Sequence, residues 1–220
     1  EIINFPDANF KNVLVTDNNI DTNDDDEITV GEAEAYSGAI TAFNESISDA
    51  TGVEYFSNIN TLNFQMNNLS SIDVSNNTAL TFMALSANNI SNLDVSYNTL
   101  LTSLFVNNND LSSIDVSANT ALTDLLVQDN QLTALDVSMI TGLERLLASN
   151  NMITSFDLSA NGSIDEFKMD NNDLNTLDLR NGNNEAIVNF DITGNSSLTC
   201  VSVDDPYYPE NNWSTVDPGP

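Results

Sequence analysis

The chain has 220 residues, enough for one ordinary domain, and 40% of them are hydrophobic, enough for a real core. Four basic residues stand against 33 acidic ones, a net charge of −29, which repels phosphate backbones and anionic lipid and so disfavours nucleic acid and membrane surfaces as partners. There is no His and one Cys, Cys200, which removes His-based catalytic triads, His–Cys zinc sites and any disulfide within the chain.

No apolar run reaches membrane-spanning length. The chain starts at Glu1 without Met and ends in Asp217-Pro218-Gly219-Pro220, which reads as a domain cut from a larger protein. At the N-terminus, Phe5-Pro6-Asp7 predicts the start of a short helix running to about Val15, with Phe10, Val13 and Leu14 on one face. Residues 21–32 follow, with Asp21, Asn23, Asp25, Glu27 and Glu32 at alternate or closing places. This segment resembles an EF-hand loop, with oxygen ligands at positions 1, 3, 5 and 12 and a backbone carbonyl at 7. Ile28 supplies the apolar residue at position 8, and Asp26 departs from the family by standing where Gly is usual. The resemblance implies a structural Ca²⁺ held by Asp21, Asn23, Asp25, the Glu27 carbonyl and Glu32, fixing a cap over the first coil. The competing reading is a solvated acidic loop, but Asp24, Asp25, Asp26 and Glu27 would repel one another without a cation. No Met precedes Met66, so the Met-rich groove of a signalling EF-hand is not implied.

From Ile59 onward the chain repeats every 21 residues. Asp73, Asp94, Asp115, Asp136, Asp157 and Asp178 recur at that step, and so do Leu62, Met83, Leu104, Leu125, Leu146 and Phe167. Asn67, Asn88, Asn109, Asn130, Asn151 and Asn172 form an unbroken polar row. A second row, Asn77, Asn98, Asn119 and Asn161, is interrupted at Ile140 and ends at Gly182. The unit L-x-x-L-x-L-x-x-N-x-L resembles a leucine-rich repeat, over six units spanning residues 59–184. The doubled pattern resembles a secreted or cell-surface subclass from Bacteroidetes. The resemblance implies a right-handed α/β solenoid, mostly parallel β with two strand-like halves per coil, after a small helical cap over residues 1–58. Apolar residues on one face of each short strand would stack coil on coil into a continuous core. The Asn rows would satisfy backbone groups where the chain turns inward. Two halves per coil predict two sheets back to back.

Residues 185–220 predict a half coil, Ile187 to Leu198, and a terminal cap with Tyr207, Tyr208 and Trp213 over the last coil. Cys200 falls in an apolar strand pattern and is expected to be buried.

Between the core positions of each first strand, outward residues align in columns. Phe82, Phe105, Leu126 and Leu147 form an apolar stripe there, with Asp124, Arg145 and Lys168 beside it. A contiguous exposed apolar patch with a charged rim is the anatomy of an interface. The predicted function is therefore a non-catalytic recognition module binding a protein, or a second copy of itself, through this face. The alternative is adhesion to polysaccharide, with the aromatic rings stacking on sugars and neighbouring amides bonding them. The resemblance implies an extracellular or cell-surface setting. The Asp73–Asp178 column reads as turn-local bonding, with a row of weak cation sites as the sharper alternative. A glycosidase reading needs a carboxylate pair across a cleft, and a repeated convex column offers none.

Overall fold

A computed structural model describes residues 1–205. The expected Tyr207, Tyr208 and Trp213 cap lies outside those residues. The chain folds as a leucine-rich repeat solenoid with a small helical cap. Helix α1 (Ala8–Val15) and helix α2 (Val30–Ala35) make the cap. Asp7 is the N-cap of α1, its carboxylate accepting the Asn9 and Phe10 N–H groups, so Pro6 lies before the cap. The other Asp7 oxygen accepts the Ser48 N–H at 2.8 Å and the Ser48 hydroxyl at 3.0 Å, tying the cap to the first coil.

Each coil contributes one three-residue strand to a parallel eight-stranded sheet. In sheet order these are β1 (Ala39–Thr41), β2 (Thr61–Asn63), β3 (Phe82–Ala84), β4 (Ser103–Phe105), β5 (Asp124–Leu126), β6 (Arg145–Leu147), β8 (Glu166–Lys168) and β10 (Asn189–Asp191). The register keeps every repeat position aligned, Leu104 on Leu125 and Leu125 on Leu146, so identical side chains stack. The stack is the core: Leu62, Met83, Leu104, Leu125, Leu146 and Phe167 are fully buried. Each such side chain contributes about 1.5–3 kcal/mol relative to leaving it in water.

The sheet begins one coil earlier than the 21-residue pattern does. Strand β1 lies inside the segment assigned to the cap, its Ile40 paired with Leu62 at a step of 22. Glu45 stands there at the ladder position, and with neither the 21-step nor the Asn the coil was not legible as a repeat.

The second sheet is smaller than two strand-like halves per coil predict. Among the described residues it contains β7 (Ser155–Asp157), β9 (Thr176–Asp178) and β11 (Cys200–Ser202), all parallel. In earlier coils the corresponding residues form no strand. There the second-half positions, such as Leu93 and Val95, are buried all the same, so the apolar pattern was serving the core without a ladder. Beyond residue 184 the chain places one strand in each sheet, β10 and β11, where a half coil was expected. Cys200 is exposed, not buried, because β11 turns Cys200 outward and leaves Val201 to pack on the core.

The six coils from β2 to β8 each turn at a left-handed residue, Met66, Ala87, Asn108, Asp129, Asn150 or Asn171, with φ between 54° and 58°. The next residue is the ladder Asn. In the first ladder Asn109 donates to the Leu85 carbonyl (3.0 Å) and the Val106 carbonyl (3.1 Å), and its Oδ1 accepts the Ile90 N–H (2.9 Å). This bonding repeats at Asn88, Asn130, Asn151 and Asn172, which is how a tight buried turn keeps its backbone groups satisfied.

Candidate functional site

The eight-stranded sheet positions the predicted contact residues by its register alone. One outward column runs Thr61, Phe82, Ser103, Asp124, Arg145, Glu166. The next runs Asn63, Ala84, Phe105, Leu126, Leu147, Lys168. Phe82 and Phe105 lie in different columns but meet diagonally, ring centroids 5.2 Å apart and nearly perpendicular at 81°. Leu126 and Leu147 continue the line on the following two strands. The stripe is thus contiguous from β3 to β6, with each of the four side chains half-buried. Ala84 faces outward by register yet is fully buried, being too short to rise above its neighbours.

The charged members of the predicted set are brought together in pairs. Arg145 donates from Nε to Asp124 Oδ1 at 2.8 Å and again from a terminal nitrogen to the same oxygen. The other Asp124 oxygen accepts the Thr123 hydroxyl at 2.9 Å. Lys168 Nζ lies 3.9 Å from Glu166 Oε1. A third, polar column borders the stripe: the Ser86 hydroxyl donates to Asn107 Oδ1 at 2.6 Å, and the Ser149 hydroxyl to Asp170. Between them the buried Gln128 amide oxygen has no partner among the described residues, a detail not legible in the repeat pattern.

The face differs along its length. Over β2–β4 it carries no charge at all. Over β5, β6 and β8 it carries Asp124, Arg145, Glu166 and Lys168, and exposed Glu144 and Asp165 lie just before β6 and β8.

The acidic column on the other side bonds locally. Asp73, Asp94, Asp115 and Asp136 each accept the N–H of the Ser two residues on, at 2.9 Å. The backbone N–H and then the hydroxyl of that Ser hold Asp73 and Asp136 below the usual carboxylate range. For Asp94 and Asp115 the hydroxyl is the larger cause. Asp178 is pulled down to about 2 by the Arg180 side chain and then by its backbone N–H.

In the cap loop, Asp21 is buried, and its carboxylate accepts the Asp24 N–H (2.8 Å), the Asp25 N–H (3.3 Å) and the Asp26 N–H (3.0 Å). Asn23 Oδ1 accepts the Asp25 N–H, and Asp25 Oδ1 the Glu27 N–H. Asp24 and Asp26 are both left-handed, φ 59° and 60°, so the place where the EF-hand pattern has Gly does carry the conformation that Gly favours. Glu32 is turned to the protein: Oε1 accepts from Thr22 and Oε2 from Thr29, the latter completing a capping box on α2. Those bonds, the Thr29 N–H foremost, lower its pKa to about 2. Glu27 is ion-paired with Lys11 at 2.8 Å. The donors are all hard oxygens, as Ca²⁺ requires, but among the described residues no three acidic side chains converge closely enough to hold an ion. Ile28 is fully buried, and its carbonyl accepts the Ile3 N–H at 2.9 Å, so the loop is stitched to the N-terminal segment.

No protein-family model matches the sequence, and no curated protein sequence matches it. Solved structures do. The chain is similar to an internalin (inlF) from Listeria monocytogenes, 22% identical with a TM-score of 0.59, over 81% of this chain and 52% of that one. It is similar to internalin C2 from the same organism, 20% identical with a TM-score of 0.58, over 90% of this chain and 94% of that one. A third likeness is to the leucine-rich repeat domain of APL1B, 22% identical with a TM-score of 0.55, over 72% and 47%. The chain spans about half the length of the inlF and APL1B structures. At these identities the likeness is one of fold.

Proposed function

We propose that this solenoid is a non-catalytic recognition module that binds a protein partner through the outward face of its eight-stranded sheet. The observation that carries the reading is the unbroken line Phe82, Phe105, Leu126, Leu147, four large apolar side chains in water contact on neighbouring rigid strands. Soluble proteins rarely leave such a line without use, and a preordered sheet loses little conformational freedom on binding. The Arg145–Asp124 pair gives the line the charged rim of an interface. The setting that suits this reading is the cell surface or the medium outside it, as for the bacterial repeats that the sequence resembles. Replacing both Phe105 and Leu126 by Ala should weaken partner capture by tenfold or more, since central apolar anchors typically contribute about 2 kcal/mol or more each. Capture that is unchanged in the double variant rejects the face. A glycan reading draws on the polar column beside the rings, with its unpartnered Gln128 oxygen. Retardation by polysaccharide in affinity gels, lost when Asn107 and Gln128 are replaced by Ala, would favour it.

We propose further that the cap loop takes Ca²⁺ as a structural cofactor. Asp21, Asn23, Asp25, the Glu27 carbonyl and Glu32 would hold it, with Glu32 exchanging its Thr22 bonds for the ion. The all-oxygen donor set and the two left-handed aspartates support the reading. Bound there, the ion supplies positive charge to a loop of adjacent carboxylates and stiffens the cover over the first coil.

A further inference from the structure

Every basic side chain of the protein is already matched. Lys11 lies 2.8 Å from Glu27, Lys168 3.9 Å from Glu166, Arg145 is bonded to Asp124, and Arg180 to Asp178. These four are all the lysines and arginines that the chain has, so the net charge of −29 remains without internal compensation. On the sheet face this matters locally. The two cations there, Arg145 and Lys168, each lie against a carboxylate of the same face, so their charge is offset before any ligand arrives. Exposed Glu144 and Asp165, which carry no ion pair among the described residues, stand at the edge of the same strands as Leu147 and Lys168. The apolar stripe therefore runs from an uncharged end over β2–β4 into an acidic end over β6 and β8.

We infer that the occupant of this face is a basic polypeptide, docked in one direction. Its apolar side chains cover Phe105, Leu126 and Leu147, and its lysines or arginines meet Glu144 and Asp165 at the acidic end. The inference rests on the reading of this face as a contact surface. Charge complementarity is what selects the partner. An acidic or nucleic-acid ligand would bring like charge to these carboxylates within a Debye length, about 8 Å at physiological salt. A second copy of the chain would set two charges of −29 against each other. A basic segment instead gains attraction on approach and ion pairs in place, while the stripe supplies the salt-insensitive part of the affinity.

The test is selection of a phage-displayed random peptide library on the intact immobilised chain, followed by titration of the enriched peptides at two salt concentrations. The expected peptides carry Lys or Arg on one side of Leu, Phe or Trp. Their binding should fall about tenfold in Phe105→Ala with Leu126→Ala. It should fall about tenfold also in Glu144→Lys with Asp165→Lys, and weaken as salt rises. Neutral or acidic peptides that still require Phe105 and Leu126 would overturn the basic partner and leave the face standing. Basic peptides indifferent to Glu144→Lys with Asp165→Lys would do the same. Peptides indifferent to Phe105→Ala with Leu126→Ala, or no enrichment at all, would overturn the face itself. A concentration-dependent dimer in sedimentation, lost in Phe105→Ala with Leu126→Ala, would replace the basic partner with a second copy. All four substituted positions are half-buried or exposed, and a thermal melt of each variant confirms that it is folded.

Discussion

Ile140 occupies the place in its coil that Asn119 holds 21 residues earlier, and both side chains are fully buried. The second ladder therefore tolerates an apolar member, and its bonding explains why. Asn119 donates to the Val95 and Asn98 carbonyls at 2.9 Å each, but its own Oδ1 is buried without a partner. Both carbonyls also accept backbone N–H groups, Asn98 N–H and Leu101 N–H, so neither is orphaned if the amide goes. Asn119→Ile should cost less than about 1 kcal/mol, one lost hydrogen bond being offset by apolar burial. Asn109→Ala should cost about 2–3 kcal/mol or more, because it strands the buried Ile90 N–H that Asn109 Oδ1 alone accepts and leaves a cavity. Urea denaturation of the two variants checks the contrast. Equal costs would mean that the two ladders do the same work.

The left-handed turn column contains two residues poorly suited to it. Met66 and Ala87 hold φ 58° and 57°, where Asn108, Asn150 and Asn171 hold the same conformation at less strain. Met66→Asn and Ala87→Asn should each raise stability by about 0.5–1 kcal/mol. Met66 is 51% exposed, so little packing is lost with it. A calorimetric Tm that falls in both variants would refute the strain argument.

Ca²⁺ should raise the Tm of the chain, and a chelator should lower it, with Asp21→Asn insensitive to either. The protease sensitivity of residues 1–35 should change in step, since the loop is tied to Ile3 through Ile28. A melt that is identical with Ca²⁺ and with chelator assigns the loop to backbone bonding alone.

The acidic column sets an acid limit. Asp115 has its pKa lowered in the fold from 3.8 by the Ser117 hydroxyl and N–H. A depressed carboxylate stabilises the fold above its unfolded pKa, and that stabilisation is lost as the pH falls below 3.8 through the folded value. Asp178, lowered to about 2, follows the same sign and loses its part between about 3.8 and 2. Protonation also relieves the repulsion of the −29 charge, which acts in the opposite direction over the same range. The difference between the wild type and Asp115→Asn isolates the local part. The wild type's advantage should be constant above about pH 5 and should shrink on acidification towards pH 2, as read from urea midpoints. An advantage that grows on acidification would contradict the assigned bonds.

The sequence by itself determined the solenoid. A 21-residue step held by Leu104, Leu125 and Leu146, with Asn109, Asn130 and Asn151 behind them, permits only coils stacked in register, because any slip would put amides in the core and leucines in water. It determined the outward columns for the same reason, since alternation on a strand fixes which face each residue takes. Four matters needed the tertiary structure. The coil at Ile40 lies outside the 21-step and became visible only by pairing with Leu62. The second sheet forms at Phe156, Leu177 and Val201 but not at Leu93, because burial of an apolar residue does not require its backbone to join a ladder. Phe82 and Phe105 belong to different columns, and only their diagonal ring contact joins them into one stripe. The pairing of Arg145 with Asp124 and of Lys168 with Glu166 depends on side-chain directions between and along strands, and it offsets the positive charge of the face locally. Periodicity constrains positions along the chain, whereas charge matching is a property of distances between coils.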